Sequence, residues 1–324
     1  MKNLRLSIKN KFDDLLLKRA PVLVKRMADT GKGTDECLKL GCLPMNVHFY
    51  SPVPDIPDLE NRKVWNHKSE LAGIDFRPEK QLQLLKQLGA EYGSECNWPL
   101  HPTGKDAEFY LKNSSFSYGC AAALYTIIRH FKPRRFIEIG SGHSSKVIAS
   151  ALEKNKQDDS SYAYEYTIID PYPGEMVSKL PAVSQLVKAK VECVDPKLFE
   201  NLGKNDIVFV DSSHTVKTGG DVTFMILDVL PRLNPGVLVH FHDINLPYEY
   251  PKVYFTNPQF RVFWTEAYLL QAFLAFNNKF EVLLAMNYLQ SDHMDEFCHA
   301  FAPFKLEDNW ANSGSFWIRR TAST

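Results

Sequence analysis

From Tyr118 onward the chain alternates short apolar runs with stretches in which apolar residues recur at helical spacing. Residues 118–130 form one such stretch: Ala121, Leu124, Tyr125, Ile127 and Ile128 repeat at near-helical intervals, and Pro133 stops the helix. Near-continuous apolar runs at about 135–139, 165–170, 188–194, 206–211 and 237–242 read as strands, with helices after the first and the fourth. Strands apolar on both faces, separated by helices, define a parallel sheet covered on both sides. A helix over residues 263–276 then leads into FEVLLAMN and finally SGSFWIRR, two strands with no crossover helix between them and therefore an antiparallel pair. The expected fold is α/β, a three-layer sandwich around a mostly parallel seven-stranded sheet that ends in a C-terminal antiparallel hairpin.

The first third of the chain lacks this rhythm. Prolines 44, 52, 54 and 57 mark residues 43–58 as a stiff extended segment without regular structure, and residues 96–104 form a second irregular stretch. Between them, residues 79–88 have helical spacing. Residues 1–112 therefore read as an appendage or cap, and residues 113–324 as the main domain. At the N-terminus, Lys2, Arg5, Lys9, Lys11, Lys18, Arg19, Lys25 and Arg26 surround apolar Leu4, Leu6, Ile8, Phe12 and Leu15 to Leu17. Such a helix suits weak contact with an anionic membrane surface, or lies solvated against the domain; Asp13 and Asp14, which interrupt the apolar face, favour the second. The apolar run is too short for a signal peptide or a membrane span.

Composition narrows the function classes. The 324 residues are 44% hydrophobic and 23% charged, an ordinary globular profile with formal net charge zero, which argues against a broad positive field for nucleic acid. Six cysteines without a Cys-x-x-Cys pair read as reduced thiols in a cytoplasmic protein.

The chemistry concentrates at strand ends. Residues 135–145, RFIEIGSGHSS, join a strand to a helix through Gly140 and Gly142. Such a turn lets a ligand approach the backbone and offers it helix N–H groups, so it suits an adenosine-bearing cofactor. A dinucleotide fingerprint would need glycine at Ser145 and an acid about 20 residues on. The next acid at a strand end is Asp170, well past that distance, and a carboxylate, Glu138, stands two residues before the first glycine.

Glu138, Gly140, Ser141 and Gly142 resemble the first motif of class I S-adenosylmethionine-dependent methyltransferases, and the resemblance runs on from about Asn113 to the C-terminus. Asp170 matches that family's ribose-binding acid. Residues 206–214, DIVFVDSSH, are similar to its fourth strand and catalytic loop, and residues 236–243, GVLVHFHD, to its fifth strand. The branch that includes macrocin-like sugar O-methyltransferases has an acid and a histidine three apart, here Asp211 and His214. It has an acidic pair after the fifth strand, where this chain has His242 and Asp243. The resemblance implies S-adenosylmethionine as cofactor, held by Glu138, Gly140, Ser141, Gly142, Asp170, Asp195 and Asp211. It also implies a small-molecule acceptor. Read from the residues, Asp211, His242 and Asp243 suit a divalent metal or a hydrogen-bonded cluster that positions His214 and the substrate. Read from the residues alone, Glu138 equally suits a carboxylate that ties down the glycine turn, Asp170 a turn acid before Pro171, and Asp195 a plain Asp-Pro turn.

Methyl transfer from a sulfonium is an in-line displacement, so the protein aligns the acceptor and takes its proton if it is a hydroxyl. His214 is the expected base, with Asp211 and Asp243 beside it; His240, one step deeper than His242, is expected to be structural. Magnesium prefers oxygen ligands, so an imidazole in the set shifts preference toward manganese, iron or zinc, or removes the metal and leaves a hydrogen-bonded cluster. The aromatic, proline-bearing residues 244–264 suit a wall or lid over the acceptor. Three classes stay open: an O-methyltransferase, a metal-dependent hydrolase or oxygenase-like enzyme using the Asp and His cluster, and a non-catalytic cofactor-binding module.

Overall fold

The computed structural model describes residues 2–305 and 312–322, with side chains from Leu16 onward. The basic and apolar side chains expected to pattern the first fifteen residues therefore lie outside the described residues. The chain divides into two compact units. One comprises residues up to Val64 together with Val253–Phe263; the other comprises Trp65–Lys252 and the described residues from Trp264 on. The expected division at residue 112 falls inside the second unit. Within the first unit, a helix spans Lys2–Thr30. A short helix, Ile56–Asn61, forms where the prolines were expected to exclude one. Asp55 caps it, and Pro57 falls in its first turn, where a missing N–H costs nothing.

The second unit is built on seven strands: β1 Arg135–Ile139, β2 Glu165–Ile169, β3 Gln185–Val187, β4 Ile207–Val210, β5 Leu238–Phe241, β6 Phe280–Ala285 and β7 Phe316–Arg320. Their order is β3-β2-β1-β4-β5-β7-β6. The first five run parallel, and β7 is antiparallel to both β5 and β6, so the C-terminal pair has the expected sense. Helices cover both faces. Central strands β4 and β5 are buried along their whole length. Phe136, Phe209, Leu238 and Trp317 of the sheet share one core with Leu124 and Ile128 of the Tyr118–Phe131 helix and Val147 and Leu152 of the His143–Asp158 helix.

Two expectations are corrected. The third strand lies at Gln185–Val187, not at 188–194, where Val191–Cys193 makes a single 3-10 turn. Charges at every second position (Lys188, Lys190, Glu192) mimic a half-buried strand, but the segment leaves the sheet. Strands β6 and β7 are also not a simple hairpin. Helices Met286–Asp292 and Met294–Ala300 stand between them and bury Leu289 and Phe297 in the core.

Residues 65–112 are tied into this unit. The Pro78–Tyr92 helix buries Leu85 and Leu88, and its Gln81 accepts a bond from the Ala285 N–H of edge strand β6 at 2.8 Å. Arg129 joins Glu95 (2.9 Å) to Asp158 (2.5 Å) and Asn155 (2.5 Å).

Candidate functional site

Strand register alone assembles the site. Ile139 pairs with Ile169 and Val210, and Val210 pairs with Phe241, so the next residues along each strand, Asp170, Gly140, Asp211 and His242, stand side by side past the carboxyl ends. That edge of an open parallel sheet is where ligands bind.

Gly140 has no substitute at its position. Its φ is +78°, and a Cβ there would lie 1.9 Å from the Asp211 carbonyl oxygen. The turn after it is held from both sides. Asp170 accepts from the Ser141 N–H (2.9 Å), the Ser141 hydroxyl (2.5 Å) and the Tyr172 N–H (2.7 Å). Glu138, fully buried, accepts from Ser144 (2.7 Å), Ser145 (2.9 Å) and the Tyr166 hydroxyl. Burial pushes the Glu138 carboxyl up to about 8, against the pull of those three hydroxyls, so it is mostly neutral at pH 7. Gly142 precedes the helix that opens at His143, its N–H bonded to Ser145 Oγ at 3.1 Å.

A cleft of about 510 Å³ runs along this edge, lined by Gly140, Ile169, Pro171, the stretch from Lys190 to Glu192, Asp211 to Ser213, and Asp221. Of the residues expected to hold a cofactor, Gly140 and Asp211 face it directly, and Asp170 sits between two lining residues. Asp195 stands apart: it is exposed, and its carboxylate accepts from the Lys197 N–H at 2.9 Å in a local turn.

At the far side of Asp211 four donor atoms converge. His214 Nε2 lies 3.3 Å from Asp211 Oδ1 and 3.6 Å from Asp243 Oδ2; His242 Nδ1 lies 3.5 and 3.4 Å from the same two oxygens. Neither nitrogen of His242 makes a well-aligned hydrogen bond, although the ring is buried and stacked on Phe116 with centroids 5.0 Å apart. His214 and Asp243 both hold the left-handed backbone, at φ +56° and +55°, which is uncommon for residues with side chains and concentrates at functional sites. Among the described residues, Asp211, His214 and His242 form a group with the spacing of metal ligands. Asp243, expected among the ligands, adds its oxygen within 3.6 Å of both imidazoles, and His214, expected as a base, joins the set.

Charge follows geometry. Burial would raise the Asp211 carboxyl, but the His242 and His214 imidazoles hold it well below the usual carboxylate range. Burial would also depress His214, yet Asp211, Glu266 and Asp243 push it up to about 10. His240 is the contrary case. Burial and the neighbouring His242 hold it well below its ordinary value, its Nε2 bonds Ser315 Oγ at 2.9 Å, and it stacks on Phe209, as a structural histidine should.

Two partners were not foreseen. Glu266 bonds His214 Nδ1 at 2.9 Å, while the His214 carbonyl accepts the Thr265 and Glu266 N–H groups, so loop and helix fix each other. Asp221 holds the Ser213 N–H (2.7 Å) and hydroxyl (2.6 Å). The one sequence signal for Glu266 is an acid opening the otherwise apolar helix EAYLLQAFL, which is also an ordinary first-turn acid. Nothing in the spacing marks Asp221.

A family model described as a methyltransferase domain matches residues 137–244, the interval from β1 to just past Asp243. An uncharacterized protein of Archaeoglobus fulgidus is 33% identical over 182 residues, 53% of this chain and 80% of that one. Among solved structures, a putative methyltransferase from Thermobifida fusca is 14% identical over 78% of this chain and 97% of that one, with a TM-score of 0.38. The plantazolicin methyltransferase BpumL, solved with SAH, is 12% identical over 82% and 98%, with a TM-score of 0.36. At those TM-scores neither structure bears on the assignment, which rests on the matched domain together with the strand order and its antiparallel β7. The chain belongs to the class I S-adenosylmethionine-dependent methyltransferases. It is a methyl-transferring enzyme with S-adenosylmethionine as its cofactor.

Proposed function

We propose that this methyltransferase acts on a hydroxyl of a small-molecule acceptor, with the donor in the cleft along Gly140 and Ile169 and the acceptor at the cluster of Asp211, His214, His242 and Asp243. One observation carries the reading: Asp211 lines the cleft and also faces both imidazoles, so donor and acid–base group share a wall. In this reading Gly140, Ser141 and Gly142 shape the donor's backbone contacts and Asp170 takes the ribose. Glu138, neutral and already bonded three times, holds the turn rather than the donor's amino group. Without an ion, neutral His214, oriented by Glu266 through Nδ1, takes the acceptor's proton at Nε2; with an ion, Nε2 is a ligand instead. Residues 113–324 carry the chemistry, residues 65–112 cover the β6 edge, and residues 244–252 border the acceptor.

The donor set also fits a divalent cation. A tetrahedral site with bonds of about 2.1 Å has ligand edges of about 3.4 Å, and the four N–O separations here run from 3.3 to 3.6 Å. Two nitrogens and two oxygens favour manganese, iron or zinc over magnesium. Glu266 then serves as the carboxylate that fixes a ligating histidine. Such an ion would supply positive charge that eases loss of the acceptor's proton.

The test is methyl transfer from labelled S-adenosylmethionine to a panel of hydroxylated sugars and metabolites, before and after chelation. Transfer to oxygen, lost on chelation and restored by manganese or zinc, is expected. Transfer confined to nitrogen would overturn the hydroxyl reading, and full activity after exhaustive chelation would remove the ion.

A further inference from the structure

We propose that residues 16–27 of the Lys2–Thr30 helix seat on an anionic bilayer surface. The stretch is apolar yet open to water: Leu17 is 68% exposed and Leu23 57%. At about 100° per residue, Leu16, Leu17, Ala20, Leu23 and Val24 fall within an arc of about 120°. Lys18, Arg19, Lys25 and Arg26 occupy a separate arc of about 120°, with Val22 the one apolar residue among them. Hydrophobic and basic sides are thus segregated along this segment.

Charge decides the occupant. No acid stands between Leu16 and Met27; Asp14 lies two residues before the stretch in sequence, and Asp29, two residues after it, pairs with Lys25. A second copy packed on the apolar arc would leave the four cations on the outer side without a partner. An anionic headgroup layer instead complements the basic arc while the apolar arc enters the acyl boundary. The same unit exposes Phe49 (87%) and Tyr50 (82%), rings 4.0 Å apart, and aromatic side chains of this kind favour the membrane–water interface.

The test uses the full chain and sedimentation with vesicles of phosphatidylcholine, alone or with about 30% phosphatidylserine. Binding is expected only to the anionic vesicles, with release in about 0.5 M salt. Replacing Lys18, Arg19, Lys25 and Arg26 together by Glu should weaken partition by about a hundredfold or more. Leu17→Asn with Leu23→Asn should weaken it about tenfold or more. Retained S-adenosylhomocysteine binding checks that the variants are folded. Equal binding to neutral vesicles, no binding to either kind, or indifference to charge reversal overturns the proposal. So does a dimer, seen by light scattering, that the double Asn variant dissociates, which would give the face to a second copy.

Discussion

Around the glycine turn, Glu138, Ser141, Ser145 and Asp170 each have a protein partner at bonding distance. Across Asp211, by contrast, two buried imidazoles face two carboxylates at 3.3–3.6 Å, and neither nitrogen of His242 makes a well-aligned hydrogen bond. In the proposed function, the donor side is a scaffold whose polar groups mostly hold a shape. The acceptor side is an arrangement whose groups are paid for in burial and backbone strain but left open toward one another, as a site needs when something else is to sit among them. In the proposed function, the contrast separates residues that hold the cofactor's frame from residues that do chemistry.

The largest effect that would break this contrast comes from Gly140→Ala. A Cβ placed 1.9 Å from the Asp211 carbonyl, on a backbone at φ +78°, forces both halves apart. Stability should fall by about 2–4 kcal/mol in denaturant titration, with S-adenosylmethionine binding lost. Unchanged stability would mean that the two strand ends are not in contact. Next in size is Glu266→Gln, which keeps the shape but removes the charge behind His214. Turnover on an identified acceptor should drop about tenfold to a hundredfold while donor affinity holds. A loss of donor affinity instead would place Glu266 with the scaffold.

A third effect is a pH dependence. Burial lifts the Glu138 carboxyl from its ordinary value of 4.5 to about 8, only partly offset by the Tyr166, Ser144 and Ser145 hydroxyls. Between those limits the unfolded chain releases the proton and the folded protein keeps it. Stability contributed at low pH is therefore lost as pH rises from about 4.5 to about 8, on the order of 5 kcal/mol in all. Glu138→Gln, which cannot ionise, should be less sensitive than the wild type over pH 5–8 when unfolding midpoints are compared. Identical profiles would show an ionised Glu138, free to hold the donor's amino group after all.

The same contrast explains what the amino-acid sequence disclosed. The turn from Glu138 to Ser145 and the acids ending β2 and β4 are local signals, each readable within one strand and its exit, and the parallel register then places them side by side without further information. The third strand misled because Lys188, Lys190 and Glu192 alternate as a sheet edge does, while the chain there is turning along the cleft. Glu266 stayed hidden because its role depends on a helix 52 residues away whose N–H groups meet the His214 carbonyl. No periodicity encodes that meeting. His214 was legible as a chemical residue, but its inclusion in the four-atom cluster required coordinates.

The division of labour is tested most directly by titrating S-adenosylhomocysteine calorimetrically into Asp170→Ala and His214→Ala, a measurement that needs no acceptor. Asp170 holds the turn through both carboxylate oxygens, so its loss should weaken binding by about a hundredfold or more, on the order of 3 kcal/mol. His214→Ala should bind the ligand as the wild type does. A folded Asp170→Ala protein with undiminished affinity, or a His214→Ala protein that loses it, would contradict the account.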